Sequence, residues 1–115
     1  GGGRLYAPKK AAKLFEIALR ANPTFASAHY NLALNHHREA QKAMPPGPPG
    51  PPKGVELQRL DEAERHYRDA IRFADGRYPL ARNNLGMLLF RRGKLREAEE
   101  QYLEGLVGGG GYALI

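Results

Sequence analysis

The sequence predicts an all-α fold of antiparallel helix pairs, five helices in all, interrupted by one long loop. Three observations predict it. Apolar and small residues recur at helical spacing in five stretches. Asn22-Pro23, Asp75-Gly76 and Gly93 punctuate those stretches. Six of the nine prolines crowd into the block from Pro45 to Pro52, so the remainder has an ordinary helix-forming composition. The 115 residues fit one domain.

Each element has a local reason. Pro8 suits the first turn of a helix running to about Ala21, with Ala11, Leu14, Phe15, Ala18 and Leu19 inward. Asn22-Pro23 stops it, and Thr24 is the expected cap of a second helix from Phe25 to Ala43. Ala28, Leu32 and Ala33 mark its packed side. The Pro/Gly run that follows excludes helix and strand and is expected to be extended, with Gly hinges. A third helix is predicted from Glu56 to Ala74, with Leu57, Leu60, Ala63, Tyr67, Ala70 and Ile71 inward. Pro79 opens a fourth, to about Arg92, and Gly93 allows a tight turn. A fifth runs from Lys94 or Leu95 to about Leu106. Gly108 to Gly111 read as a linker before an apolar tail, Tyr112-Ala113-Leu114-Ile115.

The stretches repeat. Ala11, Phe15 and Ala18 return as Ala63, Tyr67 and Ala70, and again as Ala98, Tyr102 and Gly105. Asn31-Leu32-Ala33 returns as Asn84-Leu85-Gly86. The last two occurrences of the first series lie 35 residues apart, close to a tetratricopeptide unit of 34. The longer first step is 52 residues, and the Pro/Gly block accounts for most of the surplus. On these residues the chain resembles the tetratricopeptide repeat (TPR) family, of the superhelical peptide-binding type. The resemblance implies a short TPR solenoid of about two and a half repeats, 1–115 being one TPR-like domain expected to belong to a longer array. Residues 7–22 would be the second helix of a partial repeat. Residues 24–74 would be a repeat interrupted by the Pro/Gly loop at 44–54, 79–107 a regular repeat, and 108–115 the Gly linker and tail. His29 and Arg82 stand where the family often has Trp, and Asp75 replaces its usual proline.

The resemblance also implies a concave groove lined by the first helix of each pair. Tyr30, Asn31, Leu34 and Arg38 from one unit, and Asn83, Asn84, Met87, Phe90 and Arg91 from the next, are the expected peptide-binding residues. An asparagine amide offers both donor and acceptor to a peptide backbone, so Asn31 and Asn84 form the start of a ladder. Arg38 and Arg91 would favour an acidic partner. A carboxylate clamp would need Lys and Arg where Leu80 and Asn84 stand, so that type is disfavoured. The expected role is a protein–protein interaction scaffold binding an extended peptide or partner helix. The alternatives are a recognition arm of a larger enzyme, for example a glycosyltransferase, and a structural subunit of a multi-subunit assembly. A second candidate ligand lies in the loop. Lys42, Pro45, Pro48, Pro51 and Lys53 match SH3-type ligand spacing in both orientations, although a tolerated loop insertion is the plainer reading.

Other chemistry finds little support. Net charge is +6, and the excess sits early: seven Lys/Arg face two Glu between Gly1 and Met44, while ten face ten Asp/Glu between Val55 and Val107. No aromatic–basic pattern accompanies it, so no specific nucleic-acid binding is expected. The chain has no cysteine, no catalytic signature and no phosphate loop, so it is not expected to be an enzyme or to need a cofactor. Its four histidines give no expected metal site: His29 and His36 are about 10 Å apart along one helix, too far for one ion. Glu39 could join His36, but two ligands make a weak site. No apolar stretch suits a membrane span. A chain that starts at Gly1 and shows no leader reads as a piece of a longer protein, with a cytoplasmic setting expected.

Overall fold

The computed structural model describes residues 7–110. Helix α1 (Pro8–Ala21) begins on its proline, as the sequence predicts. Its closing residue Asn22 donates its N–H to the Ala18 carbonyl at 2.8 Å. The turn then differs from expectation. Thr24 does not cap α2 (Ala26–Lys42): the cap position is Phe25, and the Thr24 amide and hydroxyl both donate to the Asn22 side-chain oxygen, at 3.3 and 3.1 Å. The threonine closes the turn instead of starting the helix.

Residues 43–53 form the long connection. It contains no helix or strand, and it bends near Gly47, whose φ of 93° suits glycine. Helix α3 (Gly54–Phe73) starts two residues earlier than expected. Its end explains the missing family proline. Asp75 and Gly76 both take left-handed backbone, φ 55° and 79°, and the Gly76 N–H bonds the Ile71 carbonyl at 2.8 Å. Proline is locked near −65° and could not stand at Asp75, whereas Asp tolerates this conformation. Helix α4 (Pro79–Arg91) follows, and Gly93, at φ 80°, turns the chain into α5 (Leu95–Gly110). That last helix runs on through Gly108–Gly110, past the predicted stop. Glycine weakens a helix by about 1 kcal/mol per residue relative to Ala but does not forbid it. The apolar tail 112–115 and the first six residues lie outside the described residues.

Neighbouring helices pack in sequence order, α1 on α2, α2 on α3, α3 on α4 and α4 on α5, and α2 also touches α4. Helix α3 is the centre of the stack. Its Leu60, Ala63, Tyr67 and Ala70 are buried with Ala33 and Ala40 of α2 and Ala81, Leu85, Leu88 and Leu89 of α4. Small residues set the spacing. A Cβ added at Gly86 would lie 2.6 Å from the Tyr102 ring, so α4 and α5 approach only because that side chain is absent. Among the described residues there are five helices and no strand, an all-α stack of adjacent antiparallel pairs. One inward prediction fails on α1: Leu14 is 64 % exposed, because among the described residues α1 packs on α2 alone.

Candidate functional site

The face shared by α2 and α4 is built from two matching helix registers. Asn31 donates its amide to the Ser27 carbonyl one turn back, at 2.8 Å. Asn84 does the same to Leu80, at 3.0 Å. The two side chains therefore adopt one geometry, each braced on its own helix with its amide oxygen directed elsewhere. The Asn84 amide also donates to the Tyr30 hydroxyl at 3.2 Å, which joins the two helices across this face. Tyr30 itself is half-buried, its ring 5.1 Å from Tyr78 and 6.1 Å from Tyr67.

The other expected residues divide by exposure. Leu34 is half-buried, and Arg38, Asn83, Met87 and Phe90 are exposed on the same run of turns. Arg91 is used differently from the expectation. Its guanidinium grips both oxygens of the buried Glu56 carboxylate at 2.6 and 2.7 Å and reaches the Gly50 carbonyl at 2.8 Å. The Glu56 hydrogen bond pushes the Arg91 pKa further up. Arg91 thus ties the Pro/Gly loop and the start of α3 to α4, and its charge is already matched. Sequence spacing alone could not reveal this, because the partner comes from across the loop. At that end His37, Met44, Leu60 and Met87 help line a small cavity of about 90 Å³.

The loop candidates are accessible. Pro45, Pro48, Pro51 and Lys53 are exposed, and Lys42 pairs with Glu39 at 3.1 Å. Loop residues and Glu56 frame a cleft of about 500 Å³.

The histidines are all buried on the α2–α3 interface. His37 Nδ1 lies 2.9 Å from the Tyr67 hydroxyl, and burial lowers the His37 pKa. Arg59 donates to His36 Nδ1 at 2.9 Å, and His36 Nε2 faces Glu62 at 3.6 Å, not Glu39. His36 is lowered chiefly by burial, with Glu62 opposing. His66 is lowered most, to about 4, by burial and then by the nearby Arg65 charge. His29 meets His66, its Nδ1 at 3.0 Å from that ring's Nδ1. Histidine spacing along one helix does not predict this pair, which spans two helices. The signal available was His66-x2-Asp69 on one helix face, opposite His29 once α2 and α3 are antiparallel.

A family model described as tetratricopeptide repeat matches residues 8–43 and 55–113. The chain belongs to the tetratricopeptide repeat family. The matched segments leave out the Pro/Gly loop between α2 and α3. No curated protein and no solved structure matches the chain. TPR repeats generally mediate protein–protein interaction, and this TPR chain is read in that sense, as a helical repeat with a protein-binding role. No helix among the described residues is long and apolar enough to cross a membrane.

Proposed function

We propose that this TPR chain is a non-enzymatic interaction module that holds an extended peptide along the face shared by α2 and α4. One observation supports this above the others. Leu80, Met87 and Phe90 are 60 %, 45 % and 64 % exposed, while Leu85, Leu88 and Leu89 of the same helix are fully buried. A helix that leaves three large apolar side chains on one open face has surface to offer a partner. Asn31 and Asn84, held in one geometry, would meet the peptide backbone through their amide oxygens. Exposed Arg38, in the basic first third of the chain, would favour acidic side chains.

The test is panning of a random peptide library on the chain, followed by affinity measurement of the selected peptides. Phe90→Asp should weaken them by tenfold or more. The Asn31→Ala, Asn84→Ala double variant should cost about 0.5–1.5 kcal/mol per lost hydrogen bond. Selected peptides that bind all variants like the parent chain would refute the reading.

A structural place in a larger assembly is the second reading. It is favoured by the outer faces of the stack, where Leu14 and Ile17 of α1 and Leu103, Leu106 and Val107 of α5 are exposed. Sedimentation of the chain as a monomer at high concentration would count against it.

A further inference from the structure

The interface of α2 and α3 holds three potential metal ligands at the end opposite the Pro/Gly loop. His29 Nε2 lies 2.9 Å from the Pro23 carbonyl. A carbonyl only accepts, so Nε2 carries the proton, and the neutral ring presents its lone pair at Nδ1. That atom is 3.0 Å from His66 Nδ1 and 4.0 Å from Asp69 Oδ2. One donor atom from each of the three residues lies within 4.8 Å of the other two. A tetrahedral ion with ligands at about 2.0–2.2 Å needs donors roughly 3.3–3.5 Å apart. Side-chain movements of under about an ångström supply that.

The ligands are also oriented from outside. Arg72 holds Asp69 Oδ1 at 3.1 Å, leaving Oδ2 towards His29. Phe73 stacks on His29 at 5.4 Å between centroids, and His36 stacks on His66 at 6.0 Å. The stacking restrains ring orientation, and the His29 Nε2–Pro23 bond fixes that ring's tautomer, as outer hydrogen bonds do in metal sites.

The second repeat provides an independent observation. Positions 29, 66 and 69 correspond, by the repeat offsets, to Arg82, Gln101 and Glu104. There Arg82 Nη1 lies 2.9 Å from the Gln101 oxygen and 3.3 Å from Glu104. The same place thus holds a built-in cation between two oxygen ligands.

We propose that His29, His66 and Asp69 bind a borderline divalent cation such as zinc, which clasps α2 to α3. Two imidazoles and one carboxylate suit zinc and its transition-metal neighbours, not calcium or magnesium. On binding, His66 shifts its proton from Nδ1 to Nε2 and stays neutral. A fourth position remains for water.

Calorimetry with zinc chloride on tag-free, chelator-stripped chain should show one equivalent bound and a higher melting temperature. His66→Gln and Asp69→Asn should each weaken binding by about tenfold or more, and His37→Gln should not. Because His66→Gln could perturb packing, cobalt binding to the parent chain gives a second readout. Its visible bands should show a four-coordinate ion, and the paramagnetically shifted ring signals should be those of His29 and His66. No stoichiometric uptake by the folded chain, or shifted signals from other histidines, would overturn the proposal.

Discussion

The α2–α3 and α4–α5 pairs are built on one repeat template yet are filled in opposite ways. Where the first pair sets His29 against His66 and Asp69, the second sets Arg82 against Gln101 and Glu104. Where the first buries Tyr67 completely, with His37 on its hydroxyl, the second leaves Tyr102 38 % exposed. Where the first places Ala33, the second needs Gly86. The family's large apolar Trp position is polar in both, so the template fixes helix spacing and leaves the bridging chemistry free. Position in the stack decides the rest. Helix α3 packs against both α2 and α4, while α5, among the described residues, packs on α4 and reaches α3 through the Arg68–Glu97 pair at 3.4 Å.

The largest expected difference lies between the tyrosines. Tyr67→Ala should cost about 3–5 kcal/mol, as for a large side chain lost from a packed core. Tyr102→Ala should cost roughly 1–2 kcal/mol, because much of its ring already meets water. Urea unfolding of the two variants checks the contrast, and equal losses would break it.

Acid should separate the pairs next. His36, His37 and His66 belong to α2 and α3, and all three pKa values are lowered in the fold chiefly by burial, His66 to about 4. The unfolded chain, with histidines near 6.5, takes up those protons first. Stability is therefore full well above pH 6.5 and falls as the pH drops below it, for His66 down to about 4, by up to about 1.4 kcal/mol per unit for each of the three. Helices α4 and α5 contain no histidine. Hydrogen exchange on metal-free chain should show α2 and α3 losing protection first.

The smallest effect is at the close approach. Gly86→Ala gains about 1 kcal/mol in helix propensity, but its methyl meets the Tyr102 ring at 2.6 Å. Overpacking costs about 1–3 kcal/mol, so a net loss of about 1 kcal/mol is expected in thermal melts. Ala33→Gly should lose about 1 kcal/mol through propensity and more through the buried methyl it removes from the core.

What the sequence made legible was local. Pro8, Pro79 and Gly93 announce their helix boundaries because each acts through its own backbone. The repeat of Asn31 and Asn84 carried through to one shared geometry. What it concealed depends on partners distant in sequence. Arg91 looked like a groove charge until Glu56, 35 residues away, took it. His29 and His66 are separated by 37 residues and a loop whose path no local rule fixes. Thr24 had the chemistry of a cap, but the cap position falls on Phe25, and the Thr24 amide and hydroxyl both donate to the Asn22 side chain.

The central claim is that a partner peptide lies on the α2–α4 face. It is tested most directly by NMR titration of the isotopically labelled chain with a library-selected peptide. The account predicts shifts confined to that face, at Leu34, Arg38, Asn83, Met87 and Phe90, with the outer faces of α1 and α5 unchanged. Shifts centred on those outer faces, or on the loop from Pro45 to Pro52, with the α2–α4 face silent, would contradict it.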